Sequence, residues 1–195
     1  MKMKMLTAIC TLVLSLPVFA DQNGSSVSSA KAIELSAHRI DRLVSLGKID
    51  AAFLKKLEKI ELVVVSNEAP AFYKIKASQT KPSQGNPLQL EIAMDVNGKT
   101  LSYQVVAAGV AGADPGFTDK DAASLTENAL HYVLENTNQG KVAMFDKGAS
   151  SFVLSKQTLD GVTVVLGQLT STLTTEKLNI YLKLDGTFIK AEVVP

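Results

Sequence analysis

The sequence predicts an α+β fold in which a helix or helical hairpin packs on an antiparallel β-meander, with that unit repeated twice. Three observations carry the prediction. Apolar residues recur at three- and four-residue spacing in two separate stretches, at Ala30, Ile33, Ala37, Ile40 and Val44 and again at Ala122, Leu125, Ala129, Tyr132 and Val133. Each stretch is followed by segments with period-two alternation and β-branched enrichment. Between those segments stand Asn97-Gly98, Asp160-Gly161 and Asp185-Gly186, pairs that tolerate the positive φ of tight hairpin turns.

The chain begins with Lys2 and Lys4, a short apolar run from Leu6 to Val18, and Val18-Phe19-Ala20 before Asp21. A basic start, a run too short to span a bilayer and a small residue at the end read as a signal peptide over 1–20, cleaved after Ala20. The expected address is the periplasm or the medium, with no integral membrane span. Cys10, the single cysteine, lies inside that run behind Thr7-Ala8-Ile9, which is a poor lipidation signal. A mature chain of 175 residues (195 − 20) would then carry no disulfide and would rely on packing.

Residues 21–29 are small and polar and read as a flexible lead. The first α+β half spans 30–108. Its helix ends near Gly47, and Asp50 caps a short second helix that turns Phe53, Leu54 and Leu57 inward. Leu62 to Val65 then opens the sheet, with Val63-Val64-Val65 reading as buried strand core. Tyr73, Ile75 and Ala77 share one face of the next strand, and Leu88, Leu90, Ile92 and Met94 share one face of the third. Residues 109–117 are rich in Gly, Ala and Pro and form the linker. The second half, 118–195, starts with a capping box at Thr118 and Asp121. Its strands are expected at 142–146, 151–158, 162–172, 177–184 and 188–194.

Leu178–Asp185 repeats the alternation of Leu88–Asp95, and Ile189–Val194 matches Leu101–Val106 with a two-residue difference in turn length. In element order the chain resembles cystatin-like and PepSY-like modules. The resemblance is one of order alone and implies no site residue.

The residues argue against most chemistries. Gly98-Lys99-Thr100 looks like the end of a phosphate-binding loop, but it lies in a hairpin, and Ala93 stands where the motif's first glycine belongs. Asp119-Lys120-Asp121 lacks the Gly and Glu of a calcium loop, so helix capping accounts for it, even with Asp114 nearby. His38 and His131 stand alone on helices, which leaves no metal-ligand pair. Ser45-Leu46-Gly47-Lys48 straddles a helix end without the partners of an acylating serine. Asn23-Gly24-Ser25 is a formal glycosylation sequon that reads as flexible sequence. Without residues 1–20 there are 18 basic and 19 acidic residues, a balance that predicts no nucleic-acid partner.

No catalytic, cofactor-binding or metal residue is therefore assigned, and no cofactor is expected. The functional reading is an exported, non-enzymatic binding protein of the bacterial envelope. It would use a sheet face, a sheet edge or a cleft between the halves to take a protein or a small apolar ligand. The rival reading is an envelope hydrolase that works with a pair of carboxylates.

Overall fold

A computed structural model describes residues 26–65, 71–79, 85–109 and 121–195. The elements run α1 (Ser29–Ser45), α2 (Ala52–Lys55), β1 (Lys59–Val65), β2 (Phe72–Ser78), β3 (Leu88–Asp95), β4 (Thr100–Ala108), α3 (Ala122–Glu135), α4 (Val142–Gly148), β5 (Ala149–Leu159), β6 (Val162–Ser171), β7 (Thr174–Leu182) and β8 (Phe188–Val194). The predicted signal peptide with Cys10, the sequon at Asn23, and Asp114, Thr118 and Asp119 lie outside the described residues, as does the linker beyond Gly109.

All eight strands form one antiparallel sheet in the order β4-β3-β2-β1-β5-β6-β7-β8. The α+β class of the sequence reading is therefore right, in the form of a single large sheet with four helices among the described residues. One hydrophobic core runs beneath the helices and draws on both ends of the chain, from Ile33, Ile40, Ile75 and Ile92 to Leu125, Phe145, Phe152 and Ile180. The junction in the sheet is narrow. β1 and β5 share only Lys59↔Val153, Ile60↔Phe152 and Glu61↔Ser151, whereas β1 and β2 stay paired from Lys59↔Ser78 to Val65↔Phe72.

Local chemistry sets the helix ends. The Ser28 hydroxyl accepts from the Lys31 amide at 3.2 Å and opens α1, and Gly47 at φ +64° stops it. At α3 the Asp121 carboxylate accepts from the Ser124 amide at 2.8 Å. Asp121 is thus the N-cap itself, which corrects the box expected from Thr118. Asp50 accepts from the Ala52 amide at 2.7 Å, and the single turn that follows buries Phe53.

Three further expectations are corrected. Residues 142–146 form the helix α4 rather than a strand. Val142 and Phe145 are buried three residues apart, a helical spacing hidden in a segment too short to show a full period. Val63 lies in a central strand yet is 59% exposed, because the helices cover only one face of the sheet. Asn97 keeps an ordinary φ while Gly98 adopts +85°. Gly98 donates to the Asp95 carbonyl at 3.0 Å and the Asp95 amide to the Lys99 carbonyl at 2.9 Å, so the loop is a wider turn closed by a left-handed glycine.

The registers of the β1–β2 and β5–β6 ladders, and of the β3–β4 and β7–β8 ladders, can be set against each other. Ile60↔Ala77 in β1–β2 has its counterpart in Phe152↔Leu169 in β5–β6, a shift of 92 residues on both strands (152 − 60, 169 − 77). Ile92↔Tyr103 corresponds to Ile180↔Ala191 with a shift of 88 (180 − 92, 191 − 103). The shift of 88 also carries the turn: Gly186 donates to the Lys183 carbonyl and the Lys183 amide to the Thr187 carbonyl, as Gly98 and Asp95 do. Asp95 therefore corresponds to Lys183 rather than Asp185, and the two-residue difference in turn length disappears.

Candidate binding groove

The alternate residues of each strand point away from the helices. Along one row, Gln104, Glu91, Lys76, Glu61, Ser151, Thr170, Lys177 and Val194 are successive cross-strand neighbours from one sheet edge to the other. This band is polar through Lys177. Glu91 accepts from the Gln104 amide at 3.0 Å and pairs with Lys74 at 3.2 Å, contacts that hold its carboxyl below the ordinary range. On this open face Val63 of β1 is exposed, and at the β5–β8 side Val164, Leu166 and Tyr181 form a second small cluster with Leu159 against it. Tyr181 donates to Glu192 at 2.9 Å, and Lys190 lies over its ring at 4.8 Å. The Lys190 hydrogen bond to Glu192 lowers the carboxyl pKa and raises that of the ammonium.

That cluster leads into a groove of about 490 Å³. It exists because the β5–β6 hairpin outruns its neighbour: Leu159 still pairs with Val162, whereas β7 stops at Leu182, opposite Val165. Asp160 and Gly161, at φ +50° and +80°, make the tight turn at its tip. The β7–β8 turn supplies the facing wall. Leu159, Val162, Val164, Leu184 and Ile189 give the lining its apolar character, and Asp160, Lys183 and Asp185 stand at the rim. Asp185 accepts from the Thr187 amide at 2.8 Å, and this bond holds its carboxyl below the ordinary range, so it stays ionised and committed to its turn. A separate small space, between α1, α3 and the strands β1 and β5, has about 10 Å³ and no room for more than a water.

The residues weighed in the sequence do not meet in this groove. His38, exposed on α1, reaches Glu127 of α3 at 3.2 Å. Burial raises the Glu127 carboxyl above its usual range, against the pull of His38. His131 pairs with Glu135 one turn along the same helix, at 3.0 Å. Lys99 and Asp121 serve a turn and a cap, and Ser45 and Lys48 are exposed at the end of α1. Among the described residues no group of three or more His, Cys, Asp or Glu is placed to hold a metal ion. No helix among them is long and apolar enough to cross a membrane. Sequence reasoning missed the groove because its walls come from two hairpins. The available signal was Leu159 and Val162, apolar residues directly flanking a tight polar turn.

No family profile matches the chain, and no curated protein matches it. Among solved structures it is similar to a candidate lipoprotein from Clostridium difficile, at 12% identity over 88% of this chain and 96% of the other, with a TM-score of 0.27. A superposition that loose carries no argument about fold or function.

Proposed function

We propose that this is an exported, non-enzymatic binding protein of the bacterial envelope that takes a small apolar ligand, or an apolar side chain of a partner protein, into the groove between the β5–β6 and β7–β8 turns. The observation that carries the reading is the groove itself. Its volume falls in the range of small-molecule sites, its lining is largely apolar, and the rim aspartate within the β7–β8 turn, Asp185, is engaged by a backbone amide. The basic start and short apolar run of residues 1–20 support export.

The same proposal includes an origin in two copies of one plan, a first half over 30–108 and a second over 118–195 joined by 109–117. The corresponding registers support it, as do the helices. Ser28 and Asp121 cap their helices on amides three residues ahead, and Leu35 and Asn128, seven residues past each cap, abut the corresponding turn glycines Gly98 and Gly186.

A fluorescence titration with anilinonaphthalene sulfonate tests the groove. Val162 is 64% exposed at the rim, so Val162→Asp leaves the core intact while placing a charge in the apolar lining. The expected result is saturable probe binding that Val162→Asp abolishes and that Leu46→Asp, at an exposed apolar residue on the end of α1, leaves unchanged. Equal binding by all three proteins would refute the assignment.

A further inference from the structure

The sheet has two edges, and they are treated differently. β8 carries Lys190 and Glu192 along its length, charges of the kind that keep a free edge from pairing with another chain. The corresponding positions of β4, at the shift of 88, are Ser102 and Gln104. β4 runs Thr-Leu-Ser-Tyr-Gln-Val-Val-Ala-Ala, without a charge or a proline, and Leu101, Tyr103, Val105 and Val106 are between 36% and 56% exposed. Both edges have a bulge near the turn, at Leu101 and at Ile189. The bulge therefore does not distinguish them, and the charges do.

We propose that β4 pairs antiparallel with β4 of a second copy of this chain, about a two-fold axis at Gln104, and that the protein is a dimer. Closure favours a second copy over any other strand. Pairing β4 with β4 covers both unguarded edges in one contact and leaves a charged β8 at each outer end, so assembly stops at two. Pairing β4 with β8 would instead propagate without limit, and Lys190 and Glu192 oppose it.

Register and side chains fit the axis. Leu101 and Val106 are the residues bulged against β3, so Tyr103 to Val105 is the regular run that an axis at Gln104 can pair. An axis at Gln104 sets Tyr103 opposite Val105 of the partner subunit, an aromatic against a β-branched residue, twice over. The Gln104 side chain gives one N–H to Glu91. Its second N–H and its oxygen can then meet the identical amide across the axis.

Sedimentation equilibrium on the purified, processed protein is the test, with two variants. Gln104→Lys places a cation beside Glu91 within the chain, which preserves the fold, and sets two ammonium groups against each other across the axis. It should raise the dimer dissociation constant at least about tenfold. Gln104→Cys should form an intersubunit disulfide on mild oxidation, because cross-strand Cβ separations suit that bond, whereas Gln168→Cys, inside the sheet, should not. A monomer at every concentration, or a dimer indifferent to Gln104→Lys and without the 104–104 disulfide, would overturn the proposal. So would a β4 edge that takes only another protein's strand.

Discussion

Phe152 shows how one residue's size is set by another's absence. Its ring is fully buried at the junction of β1 and β5, and a Cβ built on Gly167 would lie 2.7 Å from its Cζ. At the register shift of 92 residues the equivalent positions are Ile60 and Ile75, so β1 and β2 place two medium side chains where β5 and β6 place a large ring over no side chain. Gly167→Ala should cost about 1–3 kcal/mol by overpacking, and Phe152→Ile about 1–3 kcal/mol by leaving a void. The double variant should lose less than the sum, because the smaller side chain vacates the space the added methyl needs. Denaturant unfolding of the four proteins in a double-mutant cycle measures the coupling, and simple additivity would show that the two sites do not compete for volume.

At the scale of elements, the turns were readable from the sequence wherever glycine had a backbone reason to be there. Asp160-Gly161 is the two-residue turn that its residues predict, and β3, β5, β6 and β8 lie close to where alternation placed them. Asn97-Gly98 predicted a hairpin but not its width, since the choice between turn types depends on how far β3 and β4 remain paired. α4 was misread because seven residues cannot display a helical period against an apolar background. Gly98 and Gly161 separate backbone from packing in a measurable way. Both adopt positive φ, but a Cβ at Gly98 would stand 2.6 Å from Leu35 Cδ1, while nothing lies near one at Gly161. Alanine at Gly161 should cost only the conformational penalty of about 1–2 kcal/mol. Alanine at Gly98 should cost more and lower the melting temperature further. Equal losses would mean that Leu35 yields freely.

For the molecule as a whole, the sequence announced one covered face and antiparallel strands but not their union into one sheet. Alternation reports which side of a strand is buried and says nothing about which strand lies beside it. The β1–β5 ladder joins residues some 92 positions apart (152 − 60), and no local pattern encodes it. The groove was hidden for the same reason, being assembled where one hairpin outreaches another. Gln104 and Lys190 were visible as residues, but the contrast between them acquired meaning only once β4 and β8 proved to be the two edges.

The brevity of that β1–β5 ladder bears on the order of events as the chain folds. Every other strand pair joins neighbours in sequence, so each meander can form from short loop closures, while the three-pair seam must wait until both exist. Contacts made at the seam should be absent from the rate-limiting barrier. Ser151→Gly, which weakens β5 at the seam without emptying the core, should speed unfolding while leaving the refolding rate nearly unchanged. Stopped-flow kinetics decides the matter, and slowed refolding would place the seam among the first structures formed. If the seam closes last, a newly made chain passes through a stage in which both β1 and β5 present unpaired backbone, and the speed of their meeting sets how long it is open to misassembly.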